Sequence, residues 1–535
     1  MQDAGTPDEI NLGPPRDEEA HPLRVDVLGR LWQLLGDVPI PAKPYLGYYP
    51  EAELVLAIVC PLGTAYERCV ETLENYLGQF GYQASRVRLS DFFDDLLSQL
   101  GSTVRVDRSS ATQRAKSKIL AGNAIRELTE CPDVMALLAA GRIASRRLTA
   151  SGETSAAEGL KEEPLFKSSH IIATLKRPEE VDTLRRIYGP GFFLIGISST
   201  REEREAYLKE LGVADGVIDE LIETDAKEES EHGQQTREAF YLADVFVSMS
   251  EYSSQIPRFL DLLFGCPKIT PTQDEHGMFL AYAASLSSGD LSRQVGAAIV
   301  DEHGDVLAVG YNEVPKAFGG VYGPEEGSQR DLERRVDSND LEKLTIARRI
   351  TQALGEGDEA EAMSRLRATG FFDITEFGRS VHAEMAALLA CGRIGRSPRG
   401  ATLYTTTFPC HNCARHIIAS GIQKVVYIEP YAKSKASTLH DDAISIDREE
   451  EGKIPFLPFI GVGPRRYFDL FSLKLSTGYP IERKRKEDGQ LVEWERSNAT
   501  LRMQLQPTSY LRRELLAFKA LEELLSSRRA NPENA

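Results

Sequence analysis

The stretch LVLAIVC at 54–60 is an unbroken apolar run, followed at once by the turn Pro61-Leu62-Gly63-Thr64 and a helical pattern, YERCVETLENYLGQFGY, closed at Gly81. A strand that is apolar on both faces must be covered on both, as a parallel strand is when helices lie over it. The pattern recurs. SRVRLS ending at Ser90, SSHIIATL around 168–175, FFLIGIS at 192–198 and DVFVSM from Asp244 alternate with helical stretches such as PEEVDTLRRIYG. This alternation predicts a parallel α/β sheet. Polar stretches at 148–164 and 223–236 read as surface loops.

A break at Cys266-Pro267 precedes a helical segment, EHGMFLAYAASLSS. QVGAAIV and DVLAVGYN then flank Glu302-His303-Gly304 as a β-hairpin. The core resumes at Val381 with a helix, the strand ATLYTTT, a helix after Pro409 and the strand KVVYIE. At 535 residues the chain has room for about three domains, or two large ones. We expect a flexible leader at 1–47, a first α/β domain at 48–268 and a second at 269–475 carrying a charged insertion at about 318–378. A tail at 476–535 ends in a helix with apolar residues at Leu511, Leu515, Leu516, Phe518 and Leu521. That face would cover either the body or another subunit.

Lys and Arg number 63 against 81 Asp and Glu, a net charge of −18. Without a dense basic stripe, a dedicated nucleic-acid binder is disfavoured, whereas a small anionic substrate needs only a local patch. The short run Arg483-Lys484-Arg485-Lys486 reads as a solvated loop. Seven scattered cysteines make no disulfide framework, no apolar run reaches the length of a membrane span, and the acidic N-terminus has no signal-peptide pattern. The expected compartment is the cytoplasm, with no membrane partner.

The chemistry concentrates in His382-Ala383-Glu384 and Pro409-Cys410-His411-Asn412-Cys413. This is H-x-E … P-C-x-x-C, the signature of zinc-dependent nucleobase deaminases. Two cysteines three residues apart on a first helical turn point the same way, and the helix N-terminus favours their thiolates. His382 supplies a third ligand, leaving a fourth position for water, as a catalytic zinc requires. One catalytic Zn2+ per chain is therefore expected, with Glu384 as the proton carrier beside it. A structural zinc would want a fourth Cys or His, and none occurs between Glu313 and Val381.

With these residues the region from about Gln273 to Leu473 resembles the cytidine/deoxycytidylate deaminase superfamily, whose domain is an α/β/α sandwich. Ser292-Arg293-Gln294-Val295-Gly296-Ala297 and Gly310-Tyr311-Asn312-Glu313-Val314-Pro315 are similar to the deoxycytidylate branch. The resemblance implies that Asn312 bonds the sugar and that Ala383 and Pro409 border the base. Arg293 is a candidate for the phosphate and reads equally as a surface strand-edge arginine. Lys433 and Lys435, in the loop after KVVYIE, would meet phosphates as point charges.

The first domain resembles P-loop nucleotide kinases, but Cys60–Arg68 lacks the G-x-x-x-x-G-K-[ST] pattern and its lysine. Phosphoryl transfer is not expected. The resemblance leaves Pro61, Gly63 and Thr64 as nucleotide-binding candidates, alongside oligomer contacts, partner binding or a structural role. A degenerate kinase-like half joined to a deoxycytidylate-type deaminase resembles the bacterial anti-phage dCTP/dCMP deaminases. That implies conversion of dCTP and dCMP to dUTP and dUMP, a homo-oligomer, and restraint by an RNA or nucleotide regulator. The competing readings are a nucleic-acid-editing cytosine deaminase and a nucleotide-binding scaffold with a deaminase fold.

Overall fold

A computed structural model describes residues 51–150, 164–226, 233–354, 359–374, 376–431, 434–476, 478–505 and 507–530. The expected leader and Lys433 lie outside the described residues.

The apolar run at 54–60 forms β1 (Leu54–Val59), buried along its whole length, and runs through the loop 60–65 into α1 (Tyr66–Gln79). β2 (Gln83–Arg88) follows, then helices that include α2 (Val134–Ala150), then β3 (Ser168–Ala173) and β4 (Phe192–Ser198). α3 (Arg201–Glu210), α4 (Asp215–Ala226) and the short α5 (Thr236–Phe240) lead to β5 (Val245–Ser248). The polar stretch expected as a loop from 223 therefore begins inside α4: the amphipathic spacing of Val217, Ile218, Leu221 and Ile222 buries one face and carries the helix on to Ala226.

The second half opens with α6 (Gln273–Ser285), capped by Thr272 and Glu275 in a reciprocal capping box. Then come the hairpin β6 (Gly296–Val300) and β7 (Val306–Tyr311), and within the insertion helices of 17 and 10 residues, Ser338–Leu354 and Glu359–Ala368. α7 (Ala383–Ile394), β8 (Thr402–Thr407), α8 (His411–Ser420) and β9 (Lys424–Glu429) complete the central layers. β10 (Ile444–Ile446), β11 (Ile454–Pro458) and β12 (Gly461–Val462) follow, and α9 (Pro507–Ala530) ends the described chain.

Two six-stranded sheets result. The first has the order β12-β5-β4-β1-β3-β2, with β1 to β5 parallel and β12 antiparallel to β5. The second runs β10-β11-β9-β8-β6-β7, parallel from β10 to β8 and antiparallel across β8, β6 and β7. Helices cover both faces of the hairpin at close range. A β-carbon on Gly296 would stand 1.9 Å from the Ala281 carbonyl oxygen of α6, while Gly310 turns to α7.

The halves are joined across residue 268. β12 comes from the second half of the chain yet pairs with β5, and Arg466 bonds Asp244 at 3.1 Å while its guanidinium lies 4.5 Å over the Phe193 ring. α9 packs on the body: Tyr510, Leu511, Ala517 and Leu521 are buried, while Leu516 and Phe518, whose ring stands near Gly141 of α2, stay exposed. No described helix is long and apolar enough to cross a membrane.

Candidate metal centre and substrate pocket

His382 is the N-cap of α7, in extended conformation and without a side-chain capping bond, so its ring is free to turn outward. Cys410 is the N-cap of α8, and its sulfur accepts from the Cys413 amide at 3.5 Å. Both helices thus aim their N-terminal ends, and their positive dipole ends, at one spot. His382 Nδ1 lies 3.3 Å from Cys410 Sγ and 3.4 Å from Cys413 Sγ. All three donor atoms fall within 4.8 Å of one another.

Bond lengths of 2.0–2.3 Å around a tetrahedral zinc put a nitrogen and a sulfur ligand about 3.5 Å apart, so this donor set fits zinc in kind and in spacing. Zinc binding needs a neutral imidazole and two thiolates, so it displaces the protons these groups otherwise share. The Cys410 thiol is pulled down to about 4, first by the hydrogen bond with Cys413 and, against burial, by His382. His382 is pushed up to about 9, chiefly by its bond with Cys410. The Cys413 thiol is held well up by its bond to Cys410 and by burial.

Glu384 sits in the first turn of α7 and is only 4 % exposed. Its Oε2 accepts from Cys413 Sγ at 3.4 Å. Burial pushes its carboxyl above the ordinary glutamate value. A carboxyl so placed can carry a proton between groups bound beside the sulfurs. Ala383 is fully buried at the start of α7, and the Pro409 carbonyl accepts from Ser434 Oγ at 2.8 Å.

Asn312 is buried just after β7. Its Oδ1 accepts from the Val295 amide at 2.8 Å and its Nδ2 donates to the Arg293 carbonyl at 2.9 Å. The amide therefore ties down the 293–295 loop, keeping one lone pair and one N–H to spare. Arg293 Nη1 pairs with Glu429 Oε1 at 2.9 Å, and Glu429 Oε2 accepts from Thr407 Oγ1 at 3.3 Å. This pair spans the ends of β8 and β9, three residues from Cys410. Lys435 is exposed at the start of the short helix Ala436–Leu439.

Residues outside the two motifs also brace the segments around the metal centre. Asp290 Oδ1 accepts from the Ser292 and Arg293 amides, a turn signalled by the S-G-D-L-S sequence. Glu376 of the insertion reaches His411 Nε2 at 3.4 Å. Glu429 carried no local signal, because its partners lie far away in sequence.

The loop of Pro61, Gly63 and Thr64 is already occupied from within the chain. The Leu62 amide donates to Asp225 Oδ2 at 2.8 Å, and Lys176 Nζ bonds Asp225 Oδ1 at 2.6 Å and the Cys60 carbonyl at 3.2 Å. Gly63, at φ +88°, lies against the Arg204 backbone, and Thr64 Oγ1 is buried without a partner among the described residues. A carboxylate thus holds the amide that a phosphate would need.

Residues 271–429 match the family model described as the cytidine and deoxycytidylate deaminase zinc-binding region. The chain is 32% identical to the deoxycytidylate deaminase of enterobacteria phage T4 over 170 residues, 29% of this chain and 77% of that protein. It is 32% identical to the deoxycytidylate deaminase of Mycobacterium phage D29, covering 29% of this chain and 94% of that one. A solved dCMP deaminase from cyanophage S-TIM5, in complex with dCMP and dUMP, aligns at 20% identity over 36% of this chain and 98% of its own, with a TM-score of 0.22.

Proposed function

The chain belongs to the deoxycytidylate deaminase family, and from that premise we propose that it hydrolyses the 4-amino group of deoxycytidine nucleotides, taking dCMP and dCTP to dUMP and dUTP with release of ammonia. The observation that carries this reading is the convergence of His382, Cys410 and Cys413 within 4.8 Å, with the buried Glu384 carboxyl 3.4 Å from Cys413.

His382, Cys410 and Cys413 would hold zinc, which when bound would supply an acidified water near neutral pH. Glu384 would take one proton from this water and hand it to N3 of the ring, then take the second from the hydroxyl added at C4 and pass it to the amine, which leaves as ammonia. Its raised carboxyl value suits a group that must both accept and donate. Burial at 4 % exposure keeps bulk water from short-circuiting that transfer. Asn312 has the spare donor and acceptor for a sugar hydroxyl. Arg293 offers its guanidinium to the α-phosphate, and Lys435 and Lys433 serve the outer phosphates.

The likeness to anti-phage deaminases supports a role in which dCTP is drained from an infected cell by a homo-oligomer held in check by an RNA or nucleotide regulator. The net charge of −18 weighs against an editing enzyme that must grip a polynucleotide. Glu384→Ala tests the mechanism. It should bind zinc at wild-type stoichiometry and lose at least ~10²-fold in kcat. A zinc-loaded variant with full turnover would remove Glu384 from the chemistry.

A further inference from the structure

A cleft of about 1240 Å3 opens where β1, β4 and β5 end, lined there by Pro61, Ser198 and Ser248 and on its far side by Tyr427 and Asp447 of the second half. In open parallel sheets the crevice beyond the carboxyl ends of the strands is where ligands bind. The volume is ample for a nucleotide, since small-molecule sites run to ~300–1,000 Å3.

Arg204 lines this cleft and is half-buried, with its Nε shielded from solvent. Among the described residues no side chain or carbonyl accepts a hydrogen bond from its guanidinium. The two carboxylates closest in charge are already engaged: Asp225 by Lys176 and the Leu62 amide, Asp447 by the Tyr427 hydroxyl at 2.7 Å. Desolvation accordingly lowers the Arg204 value. Thr236, 1% exposed, also lines the cleft, and its hydroxyl has no partner among the described residues. Arg237 beside it has no ion-pair partner among the described residues. Other charges on the walls are matched, Arg258 by Glu275 and Arg201 by Glu205 and Asp219. Of the remaining acids, Asp274 pairs with Lys424 and Glu203 accepts from the Thr200 amide, while Glu223, Glu251 and Glu449 are exposed to solvent. A poorly solvated guanidinium and an orphaned hydroxyl facing one cavity call for an anionic acceptor.

We propose that this cleft binds an oligophosphate group, carried by a nucleotide or free, with Arg204 as its central contact and Thr236 as a hydrogen-bond donor. The site is separate from the metal centre and borders the loop of Pro61, Gly63 and Thr64, whose Leu62 amide Asp225 holds. It has a physical path to the metal loop: the Tyr427 ring, whose hydroxyl holds Asp447, stands edge-on to Phe408 at 4.9 Å, two residues before Cys410. An anion bound at Arg204 takes up the positive charge that faces Asp447, and so acts on a ring packed against the segment that positions a metal ligand.

The test is calorimetric titration of the full chain with ATP and, separately, with inorganic tripolyphosphate, both in the presence of dCMP. Tripolyphosphate carries no base, so its binding reports on the cleft whether or not the deaminase reading is right. Saturable binding weakened at least about tenfold by Arg204→Met and less by Thr236→Val is the expected result. Tighter binding of ATP than of tripolyphosphate identifies a nucleotide; equal binding identifies the phosphate chain itself. Thermal melts of both variants guard against misfolding. No binding of either probe to the wild type, or equal binding by a folded Arg204→Met protein, would overturn the site. The path to the metal loop rests on the proposed deaminase activity. It predicts that saturating probe changes kcat/KM for dCMP by about threefold or more, and that Tyr427→Phe keeps probe binding while losing that change. An unchanged kcat/KM in a probe-saturated, active enzyme would overturn the path alone.

Discussion

Gly310 lies directly against the first turn of α7: a β-carbon there would stand 2.4 Å from the carbonyl oxygen of Ala383, the residue between His382 and Glu384. The glycine of the G-Y-N segment is thus a spacing device. It lets the helix that carries a metal ligand and the proton carrier sit flush on β7. Gly310→Ala should lower stability by about 1–3 kcal/mol and push α7 away from α8. The check is a thermal melt together with zinc content per chain. A variant with wild-type melting and full zinc would show that the close approach is not needed.

Arg293 is held over the ends of β8 and β9 by Glu429, whose own carboxyl is pushed up by burial. If that guanidinium serves the substrate phosphate, Arg293→Met should raise the KM for dCMP about tenfold or more. Deoxycytidine, which has no phosphate, should be used equally by both proteins. Equal KM values for dCMP would return Arg293 to the role of a strand-edge ion pair.

Beneath the first sheet, Glu53, Arg147, Glu514 and His170 form a buried charge cluster that fastens α9 to the body. Burial alone would raise the Glu53 carboxyl, but its bond with His170 and the charge of Arg147 bring it down to about 2 from 4.5. A depressed carboxyl contributes stability above its unfolded value and loses it as pH falls from about 4.5 towards 2. The amount is on the order of 3 kcal/mol. Glu514, raised by burial, works in the opposite sense, so the difference between wild type and Glu53→Gln isolates the Glu53 contribution. Urea midpoints should fall more steeply with acid in the wild type than in Glu53→Gln. Parallel acid limbs would contradict this assignment.

The metal centre was legible in sequence because its geometry is local: two helix N-termini, each marked by its own short spacing, H-x-E and P-C-x-x-C. The strands were legible where both faces are apolar, and β4 at 192–198 falls where its residues predict. What stayed hidden depends on distant partners. Asp225 meets the Leu62 amide across 163 residues, and nothing in Pro61-Leu62-Gly63-Thr64 announces that a carboxylate will fill that loop. β12 has two residues, too few for any period, yet it extends the first sheet from the far half of the chain. Arg204 looks like one of several charges on a solvated helix until the cleft around it is seen.

The central claim is that the His382–Cys410–Cys413 centre with Glu384 deaminates free deoxycytidine nucleotides. The most direct measurement incubates purified, zinc-loaded protein with dCMP, dCTP, CTP and single-stranded DNA and scores uracil product by mass. The account predicts deoxyuridine nucleotide and ammonia in equal amounts from dCMP or dCTP, with DNA untouched. Uracil formed in the DNA while both deoxynucleotides stay intact would contradict it.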